Sequence, residues 1–173
     1  MCSETSVQKR KDGMQMFREM RRFKQQLTEE ECLRVLKEEW RGVLSLHGDD
    51  GYPYGVPMDF YYDEDENKLY FHCAKEGHKI DAARADDKVS FSVIDKGVHA
   101  DGDWALTFNS VIVFGRIKLL PSDEKSMGKL RQLAAKCYPT MEEVEIEMAK
   151  DSDRVQVLEI TVEHMTGKRV HEK

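Results

Sequence analysis

Between Gly42 and Ala74 the chain reads GVLSLHGDDGYPYGVPMDFYYDEDENKLYFHCA, three apolar runs cut by GDDG and DEDENK. No other stretch narrows the possible folds as much. Runs rich in Val, Leu, Tyr and Phe and bounded by Gly, Asp and Asn have the chemistry of strands joined by tight turns. The reading is an antiparallel meander.

The flanking segments extend this frame. TEEECLRVLKEEW predicts a helix: Thr28 and Glu31 form a capping box, and Leu33, Leu36 and Trp40 recur at helical spacing. KEGHKIDAARADD suits a short helix with Gly77 near its start, and KVSFSVID a fourth strand. KGVHADGD reads as an exposed loop. ALTFNSVIVFGRIKLL reads as one long strand or a bent pair, with Gly115 at a bulge or close approach. SDEKSMGKLRQLAAKCY predicts a helix capped by Ser122, with Met127, Leu130, Leu133, Ala134 and Cys137 along its buried stripe. MEEVEIEMAKD is too charged to assign. In RVQVLEITVEHMTGKRV, a last strand, Leu158, Ile160 and Val162 alternate with Glu159, Thr161 and Glu163, which would face outward. The sum is a mainly β (α+β) chain of about six mostly antiparallel strands with two or three helices. Closing that sheet into a small barrel removes its exposed edges.

With 173 residues, a single domain over 1–173 is the economical division, with a polar, unstructured tail over 1–13. The net charge of −6 argues against nucleic acid as a partner, since a diffuse acidic surface repels phosphate. No apolar run is long enough to span a bilayer, and MCSETSVQKRKDGMQMF lacks the apolar core of a secretory signal, so the expected location is the cytoplasm. Cys2, Cys32, Cys73 and Cys137 are widely spaced with no C-x-x-C, a pattern of reduced thiols rather than a disulfide framework or zinc site.

Candidate chemistry concentrates in LYFHCAKEGHKIDAARADDKVSFSVID. Lys75, His78 and Lys79 crowd a Gly-containing turn that opens a helix. Free backbone N–H groups and neighbouring cations there make a phosphate site chemically sensible. A solvated lysine-rich loop is the competing reading from these residues alone. His72 and Cys73 are strand neighbours and face opposite sides, so they cannot share one metal, and no other metal-ligand spacing is present. His72 falls on the side of Tyr70, lining a pocket or lying outside the barrel. Ser45, Ser90, Ser92 and Ser110 lack a nucleophile-elbow setting, and no G-x-G-x-x-G or Walker loop occurs.

Four landmarks in order, MRRFKQQLTEEECLRVL, GYPYGVPMDFYYDEDENKLYFHCAKEGHKIDAAR, NSVIVFGRIKLL and VEHMTGKRV, cover most of the chain from Met20 to Val170. Together they resemble the flavin-binding split barrels related to pyridoxamine 5'-phosphate oxidase, nearest the nitroimidazole-resistance (Nim-type) branch. The resemblance implies a six-stranded antiparallel split β-barrel with flanking helices, and a homodimer binding FMN in crevices between two barrels. It implies that Lys79 supplies a fixed charge and His78 a hydrogen bond to the FMN phosphate. Backbone of GVPMDF around Pro57, Met58 and Asp59, and of FHCA with Cys73 and Ala74, would line the isoalloxazine, and Lys75 in the turn that follows is counted among the cofactor-binding residues. Ser110 would contact the flavin or its phosphate, and His72 would lie near the reactive region as the candidate catalytic residue. The implied function is an FMN-dependent oxidoreductase passing electrons from a reduced nicotinamide to a small acceptor, such as a nitro-aromatic. The alternative is a non-catalytic flavin- or haem-binding or sensing barrel, with His72 or His164 as an axial haem ligand; a barrel that has lost its ligand is a third reading. The chain ends TVEHMTGKRVHEK rather than with the oxidase's arginine-bearing substrate motif, which argues against pyridoxamine phosphate oxidase activity. Asp59 stands where relatives commonly carry an uncharged polar residue.

Overall fold

The computed structural model describes residues 17–172; the expected tail over 1–13 lies outside them. The helix α1 (Glu29–Glu38) starts at the predicted capping box, in which Thr28 and Glu31 each accept a hydrogen bond from the other's backbone N–H. It then gives way to β1 (Arg41–His47), β2 (Pro53–Asp59), β3 (Tyr61–Asp63), β4 (Lys68–Ala74), α2 (His78–Ala85) and β5 (Lys88–Ile94). The two-residue β6 (Val98–His99), β7 (Leu106–Leu119), α3 (Glu124–Ala135), α4 (Met141–Asp151) and β8 (Val155–His171) complete the order. Six strands have seven or more residues, as expected; β3 and β6 are short additions.

All pairings are antiparallel, and the strands follow the order β2, β1, β5, β7, β8, β4, β3, with β6 added beside β7. The two ends of this path, β2 and β3, are neighbours in the chain with only Phe60 between them. The sheet is therefore bridged into a barrel by one bent segment. Its first half pairs with β1 and its last three residues pair with β4. The expected meander is thus divided: β2 never forms a ladder with β4, and the two strands diverge beyond the bend. Phe60 anchors the bend, fully buried and set edge-on against Phe91, with its N–H donated to the Trp40 carbonyl.

Inside the barrel, Leu44, Leu69, Phe71, Phe91, Val113, Leu158 and Ile160 alternate inward along their strands, and Leu36 of α1 and Ile80 of α2 cover the openings. Burying a Leu or Phe of this kind contributes about 1.5–3 kcal/mol, which makes this cluster the main source of stability. A smaller core forms outside the wall, where Leu130 of α3 and Val144 and Met148 of α4 pack on Tyr70 and Val157. Gly115 is the close-approach point: the β7–β8 register shifts between Phe114 and Gly115, and a Cβ there would run into the Thr161 carbonyl and Ile160.

Several local expectations are corrected. Trp40 lies past the end of α1 and is 40% exposed beneath the Arg41 guanidinium, because the chain has already turned into β1. Asp123, not Ser122, caps α3, and Cys137 lies beyond its last turn, exposed. Glu159 does point outward from the barrel, yet it is 2% exposed because side chains of the neighbouring strands β4 and β7 close over it. There it meets Lys68, Lys118 and the Tyr70 hydroxyl. Burial raises its pKa, and the two ammonium groups more than offset that, leaving it below the usual carboxylate range. The unassigned MEEVEIEMAKD is α4, begun by a second capping box between Thr140 and Glu143.

Candidate functional site

Where β2 and β4 diverge, each leaves an open edge. β2 is paired only with β1, and β4 beyond Tyr70 only with β8, so backbone groups of Pro57–Asp59 and His72–Ala74 face one another without a ladder. A groove of about 570 Å³ lies between them. Unpaired backbone donors and acceptors must be satisfied by water or a ligand, and two such edges suit the rim of a flat heteroaromatic molecule.

Seven of the ten sequence-derived site residues line this groove: Pro57, Met58 and Asp59 on β2, His72, Cys73 and Ala74 on β4, and Lys79 on α2. Lys79 is half-buried and has no carboxylate within salt-bridge distance among the described residues. It sits in the first turn of α2, whose N-cap is Gly77, with φ of 117° and ψ of 170° and no side-chain cap. That backbone conformation suits glycine alone, and it leaves the first N–H groups of the helix free. The other three α-helices are capped by Thr28, Asp123 and Thr140.

His78, Lys75 and Ser110 are placed elsewhere. One residue along a helix turns the side chain by about 100°, so His78 leaves the groove that Lys79 enters. Its ring stacks on Tyr54, centroids 4.1 Å apart, with Nε2 3.6 Å from Asp49. Lys75 is exposed in the turn before Gly77. Ser110, on β7 beside Ile94 and Lys168, points to the outer face of the sheet and does not line the groove.

Two cations that sequence reasoning missed also line the groove, Arg41 and Arg154. Arg41 donates to Asp59 at 2.7 Å, which raises its own pKa, while Arg154 is largely exposed, with Asp151 3.9 Å away. Neither was legible as a site residue, because Arg41 opens β1 and Arg154 immediately precedes β8, and each reaches the groove only through the sheet's closure. The groove thus gathers Arg41, Lys79 and Arg154 against one carboxylate, Asp59, in a chain of net charge −6.

His72 stands at one side of the groove. Crowding by its surroundings lowers its pKa; Asp59 partly opposes this and Lys79 reinforces it. The ring is therefore neutral near pH 7, with one N–H donor and one acceptor nitrogen. Burial raises the Cys73 thiol pKa, with Lys79 acting weakly against it. No group of three or more metal-ligating side chains occurs among the described residues, and no helix there is long and apolar enough to cross a membrane.

Known proteins place this arrangement in context. No curated protein matches the chain. Among solved structures, a candidate 5-nitroimidazole antibiotic resistance protein from Bacteroides thetaiotaomicron superposes with a TM-score of 0.68 at 20% identity, over 85% of this chain and 87% of its own. A FAD-binding protein from Mesorhizobium loti gives 0.60 at 26% identity, over 84% and 96%. A FAD- and haem-binding protein from Mycobacterium smegmatis gives 0.65 at 20%, over 83% and 72%. The family model described as pyridoxamine 5'-phosphate oxidase matches residues 28–169. With its landmarks, its split barrel and this match in agreement, the chain belongs to the pyridoxamine 5'-phosphate oxidase family.

Proposed function

We propose that this protein is a flavin-dependent oxidoreductase, with FMN the expected cofactor, and that it works as a homodimer. The observation that carries the reading is the cationic groove between two open strand edges. Lys79 and the free N–H groups of α2 offer an anion site for a flavin phosphate, with Arg154 as a second cation. Backbone groups of Pro57–Asp59 and His72–Ala74 would hydrogen-bond the polar edge of the ring system. A bound flavin supplies two-electron transfer between a reduced nicotinamide and a small acceptor such as a nitro-aromatic. This chain's part is to hold the ring, orient the acceptor and offer the neutral His72 imidazole beside it.

The outer face of β2, β1, β5, β7 and β8 supports the dimer reading. Two cross-strand rows, Pro57–Val43–Ser92–Ile112–Thr166 and Gly55–Ser45–Ser90–Phe114–His164, contain no formally charged side chain apart from any protonation of His164, in a chain that is 35% charged. Val43 is 39%, Ile112 40% and Phe114 36% exposed. A neutral, partly apolar face of this extent suits a second copy of itself. Pro57 belongs to both this face and the groove, so the partner would wall the flavin in, and Ser110 on the same side would approach the partner's cofactor.

An absorption spectrum of the purified protein, followed by anaerobic titration with reduced nicotinamide, tests the reading. A flavin spectrum that bleaches is expected, with FMN rather than FAD released on denaturation. Protein that neither carries nor takes up flavin refutes it. A Soret band would instead favour the haem reading, in which the neutral imidazole of His72 is the ligand on offer.

A further inference from the structure

A second cavity, of about 310 Å³, lies between α3, α4 and the outer wall of the barrel, and it shares Asp59, His72 and Val155 with the groove. We infer that this cavity is the acceptor pocket of the flavin site, and that it selects a compact aryl or heteroaryl molecule, neutral or cationic, while rejecting anions. The assignment rests on the flavin reading above and adds the substrate class to it.

Shape supports the class. The volume is at the small end of ligand pockets, enough for one or two rings. Leu130, Leu133 and Ala134 from α3, with Val144 and Met148 from α4, make an apolar floor. The polar groups that could orient a ring stand at its rim: the imidazole of His72 where cavity and groove meet, and the hydroxyls of Tyr138 and Ser152.

Charge supports the selectivity. Asp59, Glu147 and Asp151 line the cavity and no lysine or arginine does, the reverse of the adjoining groove. Asp59 is matched by Arg41 at 2.7 Å and Asp151 by Lys150 at 3.3 Å. Glu147 has only Lys150 at 3.9 Å, and Lys150 is itself shared with Asp151, so Glu147 leaves uncompensated negative charge at the rim. An anionic group entering the composite site meets its cations in the groove and repulsion in the cavity. A substrate held by its own phosphate, as pyridoxamine 5'-phosphate would have to be, finds no cation in this pocket.

The test is binding of two probes of similar size and opposite charge, 4-nitrobenzylamine and 4-nitrobenzoate, to the flavin-loaded protein, read from the perturbed flavin spectrum without turnover. The amine should bind about tenfold or more tightly than the carboxylate, the scale of one partly screened charge contact. Glu147→Lys, at a partly exposed rim position, should narrow that preference at least threefold. Ala134→Phe should weaken both probes about tenfold while flavin affinity stays within about twofold, because it fills the cavity and leaves the groove open. Protein without a flavin spectrum overturns the parent reading and this assignment together. Flavin-loaded protein that binds the carboxylate as tightly as the amine, or whose Ala134→Phe variant binds both as before, overturns the pocket assignment alone.

Discussion

Removing the Lys79 ammonium is the most direct test of the groove. Its side chain is half-buried against the open edges of β2 and β4, and no carboxylate among the described residues claims it. A hydrogen bond to a charged group contributes about 1.5–3 kcal/mol, and partial burial here limits screening by salt. Lys79→Ala should therefore raise the flavin Kd about 10- to 150-fold, while Lys79→Arg keeps most of the affinity. His78→Ala is the contrasting variant. Its imidazole stacks on Tyr54 and faces Asp49 rather than the groove, so the loss should stay under about threefold, the scale of a surface substitution. His72→Ala should fall between the two, since His72 lines the groove without carrying a charge. Titration of apoprotein into flavin, followed by fluorescence quenching at two salt concentrations, gives all four constants. Lys79→Ala binding within about twofold of wild type, or His78→Ala losing as much, would refute the phosphate assignment to Lys79.

Two further outcomes concern stability. Gly115→Ala puts a methyl group against the Thr161 carbonyl and within 2.8 Å of Ile160 Cγ2, at the register shift of the longest strand pair, and should cost about 1–3 kcal/mol in urea denaturation; an unchanged midpoint would contradict the close approach. The Glu66 carboxyl is pulled down to about 2, chiefly by Lys129, with burial opposing and Tyr70, Lys68 and Lys125 assisting. Because its folded value lies below the ordinary 4.5, its contribution is complete above pH 4.5 and is lost as pH falls from there towards 2. Lys129→Met should flatten that part of the stability–pH curve, although loss of the buried Lys129–Asp63 pair lowers stability across the range as well.

The six long strands, the first helix and its capping box were readable because each depends on local rules: alternation along a strand, turn residues between strands, a hydroxyl three residues before a carboxylate; the two-residue β6, inside the expected loop KGVHADGD, is too short to carry such a pattern. Gly115 was legible by the same local rules, as a glycine at a bulge or close approach, whereas Gly77 was read only as lying near the start of a helix and its positive φ emerged with the structure. The last helix carried the same local signal in Thr140 and Glu143, but its dense charge hid the pattern. Glu159 shows where local reading stops. Alternation correctly sent it outward from the barrel, and only Lys68, Tyr70 and Lys118, brought beside it by strand pairing across long stretches of sequence, made outward mean buried.

The same division holds for the site. Sequence alone determined the chemistry available to it: a cationic turn after β4, a glycine opening α2, a histidine on one side of that strand and a cysteine on the other. Which of these groups meet was a tertiary decision. One buried phenylalanine bends β2 into β3, and that bend pulls the strands apart, opens two backbone edges and aims Lys79 but not His78 between them. Arg41, Arg154 and the helix pair that forms the second cavity come from distant parts of the chain, joined to the groove only by closure of the sheet. Short-range periodicity specifies what each segment is; contacts between residues far apart in sequence specify what the segments enclose.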